Sequence, residues 1–398
     1  MRIGIFGGTF NPPHNGHVTM ARAAVTQLGL DKLLIVPACV PPHKPLPSGV
    51  TAGQRYDMAA LMAAPVGRCA EASDMELHRT GKSYTSDTLV QLQQEYPGAE
   101  LWLLMGSDMF LSLHTWHEPE VICRIARIAA FRRVEEDIRA AMERQKQLLE
   151  RQYQAQVTLL ENPELIELSS TDVRAALAEG RGSDLVPAAV WGYIQREHLY
   201  GTSTDLKHLT PDALRPIAMS YLKPKRMAHV LGTEATAVKL AKQYGADETE
   251  ARVAALLHDC TKKLDMDQQM ALCRQYGLEL DELEQQALKL LHSRTGAAIA
   301  RDVFGVSDAV YSAIRFHTTG KPHMTLLEKI LYLADYMEPT RDFDGVEHLR
   351  EVIRQDLDQG LLLGLTMTIE EMREMGNPIH HLTLDAQRYL IEQGVKQV

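Results

Sequence analysis

Near its start the chain carries Gly7-Gly8-Thr9-Phe10-Asn11-Pro12-Pro13-His14-Asn15-Gly16-His17, and no other stretch restricts the fold as much. The apolar run at 3–6 before it reads as a buried β-strand, and the alanine-rich run at 18–28 after it has helical propensity. A strand, a glycine-rich turn and a helix N-terminus in that order make a seat for phosphate. Backbone N–H groups and the helix dipole face the anion, and glycine lets the chain come close to it. His14 and His17 stand at the mouth of that seat. Both can donate hydrogen bonds to phosphoryl oxygens without acting as nucleophiles.

At 398 residues the chain exceeds a comfortable single core and predicts two domains. A formal net charge of −10 argues against a broad surface for nucleic acid or anionic membrane. Cys39, Cys69, Cys123, Cys260 and Cys273 are odd in number and show no Cys-x-x-Cys spacing. That pattern fits reduced thiols better than a disulfide framework or a zinc site. No apolar run approaches the ~18 residues of a membrane span, and a phosphate seat beginning at Gly7 is incompatible with a cleaved leader. The expectation is a soluble cytoplasmic protein whose partners are small-molecule nucleotides, with neither nucleic acid nor membrane; homo-oligomerisation stays open.

Further strand-like runs at 33–36, 101–105 and 125–131 alternate with helix-like stretches at 53–64, 84–96 and 171–179. Such alternation predicts an α/β domain with a Rossmann-like parallel sheet, and ligands of such sheets sit at the carboxyl ends of the strands. After the second strand, the proline-rich loop at 37–45 offers His43 and Lys44 to an anion. Asp108 and Trp116 follow the strand at 101–105; a carboxylate there can bind ribose hydroxyls and an indole can stack on a flat heterocycle. Ser169-Ser170-Thr171 before a helix, with Arg174 one turn in, makes a second anion seat. The charge-dense stretch at 135–156 reads as a solvated helix without a functional role.

The first motif resembles the (H/T)xGH signature of the nucleotidyltransferase superfamily, and Gly-Gly-Thr-Phe-Asn-Pro-Pro-His is similar to its nicotinate-mononucleotide adenylyltransferase branch. The likeness spans residues 1–201. It implies that His14 and His17 serve catalysis and that ATP, with Mg²⁺, contacts Gly8, Thr9, Phe10, His17, Gly106, Asp108, Ser170, Thr171 and Arg174. It further implies that nicotinate mononucleotide meets Lys44, Tyr84, Thr85, Trp116 and Arg133. The family carries Arg followed by Pro at the last position, and Val134 departs from that pattern.

A small, polar stretch at 201–205 reads as a linker, and helical patterns dominate from Asp212 to the end, predicting an all-α domain over 206–398. Its chemistry lies in scattered imidazoles and carboxylates. Consecutive residues on a helix point about 100° apart, so His258 and Asp259 share an ion only over the helix edge. His229 and Asp335 are placed in the pattern to complete the shell, and such a donor set suits iron, manganese or zinc better than magnesium. The set resembles the HD metal-dependent phosphohydrolase superfamily. The segments Phe316-His317-Thr318-Thr319-Gly320 and Ala334-Asp335-Tyr336-Met337-Glu338-Pro339 are similar to its symmetrical diadenosine-tetraphosphate hydrolases. That resemblance implies two divalent ions, iron or manganese, with His292 and His317 serving the second and Asp259 bridging; Lys262, one turn past Asp259, can neutralise a phosphate, a solvated lysine being the alternative. Action on another nucleotide or alarmone, or a purely regulatory nucleotide-binding role, are the alternatives for this half.

Overall fold

The computed structural model describes residues 1–41, 49–79, 81–132, 135–161 and 168–396. The chain divides into two compact units, Met1–Ser203 and Thr204–Val398. No helix among the described residues is long and apolar enough to cross a membrane.

The first unit is built on six parallel strands: β1 (Arg2–Gly8), β2 (Lys32–Pro37), β3 (Ala70–Ala72), β4 (Glu100–Met105), β5 (Ala126–Phe131) and β6 (Val157–Leu160), in the order β3-β2-β1-β4-β5-β6. The helices are α1 (Asn15–Leu28), α2 (Ala52–Val66), α3 (Thr85–Glu95), α4 (Ser107–Ser112), α5 (Pro119–Ile125), α6 (Glu136–Tyr153), α7 (Ser170–Ala178) and α8 (Ala188–Arg196). The order of strand addition reverses between β1 and β4, which pair directly and in parallel. The crevice beyond the carboxyl ends of those two strands is where ligands of such sheets bind. Four central strands read as near-continuous apolar runs because helices cover both faces; Ile3, Ile5, Leu34, Leu103 and Ile128 lie in one core with Leu89, Phe110 and Met142 from the helices.

The α/β expectation holds, with two strands added at the edges. β3 and β6, three and four residues long, escape the sequence reading because neither offers a full apolar run. The solvated reading of 135–156 is corrected in part. α6 buries Met142, Gln145 and Leu149 in a narrow stripe, and Gln145 Nε2 donates to the Phe110 carbonyl at 3.2 Å.

The second unit contains only helices among its described residues: α9 (Pro211–Ser220), α10 (Pro224–Tyr244), α11 (Glu248–Leu257), α12 (Met266–Gln275), α13 (Leu288–Phe304), α14 (Asp308–Phe316), α15 (Leu326–Met337), α16 (Val346–Gln355), α17 (Leu357–Glu374) and α18 (His381–Glu392). Side-chain caps start many of them. Asp247, Ser307 and Asp356 accept backbone N–H groups, and Thr325 with Glu328 forms a capping box at α15. α10 packs against α11 and α15, and α14 against α13 and α15. The inner faces of these helices carry the imidazoles and carboxylates described next.

Candidate active sites

In the first unit the turn after β1 runs directly into α1, and His14 is the residue before the helix. Its backbone N–H donates to His17 Nδ1 at 3.1 Å, which leaves the proton of the neutral His17 ring on Nε2. The two rings lie 3.8 Å apart between centroids, and His17 also touches Phe6 and Phe10. Burial lowers His14 to a pKa of about 4, and burial together with His14 holds His17 well below its ordinary value. Both rings are neutral donors at pH 7. His14 Nδ1 is buried without a hydrogen-bond partner, a group poised for a ligand rather than for the protein.

The second anion seat closes on the first. Arg174 donates to the Asn11 carbonyl at 2.6 Å and to Thr171 Oγ1 at 3.0 Å, and Ser170 Oγ donates to the Pro12 carbonyl at 3.0 Å. Gly106 precedes α4 at the exit of β4, and Asp108 in its first turn is exposed. Tyr84 and Thr85 begin α3, and the Tyr84 ring stacks on His117 at 4.2 Å beside half-buried Trp116. The structure thus groups Gly8, Thr9, Phe10, His14 and His17 with Ser170, Thr171 and Arg174, sets Gly106 and Asp108 at the neighbouring strand exit, and joins Tyr84 to the 116–117 turn. Lys44 and Arg133 lie outside the described residues.

Arg55, to which the sequence reading gave no role, is fully buried beneath this seat. Its guanidinium donates to the carbonyls of Thr9, Ala38 and Cys39 at 2.9, 2.6 and 2.9 Å, tying the exit loops of β1 and β2 together. Nothing in the sequence announces it, because its partners are backbone atoms that only the fold brings near.

In the second unit six predicted residues converge. His229 lies on α10, His258 and Asp259 follow α11, His292 lies on α13, His317 follows α14 and Asp335 lies on α15. His229 Nε2 is 3.0 Å and His258 Nε2 3.8 Å from Asp335 Oδ1. Asp259, fully buried, turns Oδ2 towards His258 at 3.5 Å and Oδ1 towards His292 at 3.3 Å and His317 at 4.0 Å. Lys262 Nζ lies 3.5 Å from Asp259 Oδ1.

Outer partners fix the imidazole tautomers. Nδ1 of His258 lies 2.6 Å from the Ala255 carbonyl, and Nδ1 of His317 lies 2.6 Å from that of Ile314. His229 Nδ1 lies 2.9 Å from Glu338 Oε1. In each ring the proton is therefore spent outward and the Nε2 lone pair faces inward. Burial works to raise the Asp259 and Asp335 carboxyls, but the surrounding imidazoles hold both well below the carboxylate range. His258 Nε2 and Asp259 Oδ1 are buried with no hydrogen-bond partner. An orphaned nitrogen and an orphaned oxygen, in a group whose candidate ligand atoms lie within 4.8 Å of one another, fit divalent cations of the iron, manganese and zinc type.

A second cluster, Asp281, His380 and His381, does not make the same case. His380 Nδ1 accepts the Leu382 N–H at 3.2 Å, so a neutral ring carries its proton on Nε2, facing Asp281 Oδ2 at 3.0 Å. A cation there would also oppose the dipole of α18.

The cytidylyltransferase-like family profile matches residues 5–176, and the HD domain profile matches residues 226–340. A probable nicotinate-nucleotide adenylyltransferase of Neisseria meningitidis is 38% identical over 200 residues, covering 50% of this chain and 98% of its own. A symmetrical bis(5'-nucleosyl)-tetraphosphatase of Halalkalibacterium halodurans is 40% identical over 177 residues, covering 43% of this chain and 91% of its own. The chain belongs to both families. It is a nucleotidyltransferase unit of the nicotinate-nucleotide adenylyltransferase family joined to an HD unit of the symmetrical tetraphosphatase family. Among solved structures, a predicted HD superfamily hydrolase involved in NAD metabolism from Clostridium acetobutylicum is 41% identical, covering 46% of this chain and 98% of its own at a TM-score of 0.45. The Plasmodium falciparum nicotinic acid mononucleotide adenylyltransferase complexed with NaAD is 17% identical, covering 51% and 98% at a TM-score of 0.41. Membership of the HD family implies divalent metal, and that of the nucleotidyltransferase family implies Mg²⁺.

Proposed function

We propose that the nucleotidyltransferase unit transfers the adenylyl group of ATP to nicotinate mononucleotide and that the HD unit splits diadenosine tetraphosphate into two ADP. In the first reaction a phosphate oxygen of nicotinate mononucleotide attacks the α-phosphorus of ATP in line. A new P–O bond forms, the bond to the β-phosphate oxygen breaks, and pyrophosphate leaves. No protein nucleophile is needed; positioning and charge stabilisation suffice. The observation that supports this half is the pair of neutral, buried imidazoles at the exit of β1, with the His17 proton held on Nε2 for a phosphoryl oxygen. Arg174 and the hydroxyls of Ser170 and Thr171 are assigned to the ATP phosphates, Asp108 to its ribose, and Trp116 with Tyr84 and Thr85 to the nicotinate ring.

For the HD unit the supporting observation is Asp259, one oxygen towards each pair of imidazoles. His229, His258 and Asp335 would hold one divalent ion and His292 and His317 a second, with Asp259 between them. Such ions supply an activated water and neutralise the leaving phosphate. The chain's own part is to aim the Nε2 lone pairs of His229, His258 and His317 inward, to hold two carboxylates ionised, and to set Lys262 beside Asp259 where a phosphate oxygen would lie.

Product analysis tests both halves. ATP with nicotinate mononucleotide should give nicotinate adenine dinucleotide and pyrophosphate; turnover only with another acceptor, such as phosphopantetheine, would remove the first assignment. Diadenosine tetraphosphate should give ADP alone; AMP plus ATP would contradict the second. Full metal loading without turnover would leave a regulatory module.

A further inference from the structure

Arg226 lies in the first turn of α10, three residues before His229. Its Nε donates to Asp259 Oδ2 at 2.5 Å and its Nη2 lies 3.9 Å from Asp335 Oδ1. One guanidinium thus spans both carboxylates of the ion centre. An ion ligated by Asp335 and by that oxygen of Asp259 needs the same two atoms. Two cations at this range repel, so guanidinium and ion compete, above all for Asp259 Oδ2. Asp259 is fully buried whereas the Arg226 side chain is 26% exposed, so the guanidinium reaches in from the mouth on a long stem and can swing back to it.

Two further cations share the arrangement. Arg341 Nη2 donates to Asp335 Oδ1 at 2.8 Å, and Lys262 Nζ lies 3.5 Å from Asp259 Oδ1. Three side-chain cations face three carboxylates, since Glu338 Oε1 also lies 3.9 Å from Arg341 Nε, so the two divalent ions of the hydrolase reading would make the centre strongly positive. The charge is balanced only by a ligand with several negative charges, which is a polyphosphate rather than a monoester.

We infer that Arg226 exchanges partners: it neutralises Asp259 and Asp335 in the ion-free protein and, displaced by the ion, binds phosphate oxygens of a polyphosphate substrate. This rests on the hydrolase reading of the HD unit. Metal and substrate are thereby coupled through one side chain.

The test is the full chain with Arg226→Gln and Arg226→Lys, titrated with Mn²⁺ alone and then, at saturating Mn²⁺, with inorganic tripolyphosphate. Removing the competing cation should tighten Mn²⁺ binding roughly tenfold and weaken tripolyphosphate binding by a similar factor; the lysine variant should fall between on both. Opposite signs are diagnostic, since a merely structural role would weaken both. Unchanged or weaker Mn²⁺ binding would overturn the inference. Tighter Mn²⁺ binding with unchanged tripolyphosphate binding would overturn its substrate half. Where Arg226→Gln fails to melt cooperatively, Arg226→Lys carries the same comparison. The Mn²⁺ titration does not depend on which substrate is cleaved, so failure of the tetraphosphatase reading would be seen separately.

Discussion

Glu338 is the most informative residue to perturb, because it touches neither substrate nor ion. It is fully buried just beyond α15, where Oε1 receives His229 Nδ1 at 2.9 Å and Oε2 receives the Thr340 backbone N–H at 2.7 Å. Burial would raise its carboxyl, but the Thr340 hydroxyl and N–H together with His229 hold it below the ordinary value. Glu338→Gln keeps the shape but replaces one acceptor by an NH₂ group, so either His229 or Thr340 meets a donor. Outer partners of this kind are worth about 10- to 100-fold in metal affinity, or about 1.4–2.8 kcal/mol. The glutamine variant should sit near the lower end. Glu338→Ala, which leaves both donors without an acceptor, should sit near the upper end. The assay is Mn²⁺ titration of the intact chain at neutral pH by electron paramagnetic resonance, with a thermal melt confirming the fold. An Mn²⁺ affinity within twofold of wild type for both variants would refute the idea that Glu338 sets the His229 tautomer.

A Cβ on Gly232 would stand 2.4 Å from Glu338 Oε2, so Gly232→Ala should weaken Mn²⁺ binding as Glu338→Gln does; unaltered binding would show that the carboxylate has room to move. A Cβ on Gly8 would press on three atoms of the Phe10 ring at 3.0–3.3 Å. Gly8→Ala should therefore displace Phe10 and slow adenylyl transfer while leaving the HD activity intact. His14 titrates near 6.5 when unfolded and at about 4 when folded, so the unfolded chain takes up the proton first as pH falls. Its contribution is complete above pH 6.5 and is lost between 6.5 and about 4, by roughly 3 kcal/mol at most. Denaturant unfolding of the first unit should accordingly depend less on pH in His14→Asn than in wild type; equal slopes would argue against the lowered pKa.

The sequence made local features legible and long-range ones opaque. The strand, turn and helix around Gly7-Gly8 were readable because their constraints lie within a dozen residues. The parallel α/β class followed from alternation of apolar runs with helical ones. β3 and β6 were not readable, since three- and four-residue edge strands carry little pattern. The anchoring face of α6 was obscured by charge density, although Ile138, Met142, Gln145 and Leu149 follow its helical spacing. His258-Asp259 stood out as a local pair, but His292 and His317 entered only through family resemblance. Arg55, Arg226 and Arg341 show no sequence signal of their own, and Glu338 stood in a family-like segment without a role. An arginine's role is set by which carbonyls or carboxylates the fold brings within 3 Å, and no spacing rule encodes that.

The central claim is that one chain carries two chemically separate sites, and reciprocal inactivation of the intact protein tests it most directly. His17→Ala should cut adenylyl transfer by about 100-fold or more and leave diadenosine tetraphosphate cleavage at the wild-type rate. Asp335→Asn should abolish the cleavage and leave adenylyl transfer unchanged. Loss of both activities in either variant, or of neither, would contradict the claim.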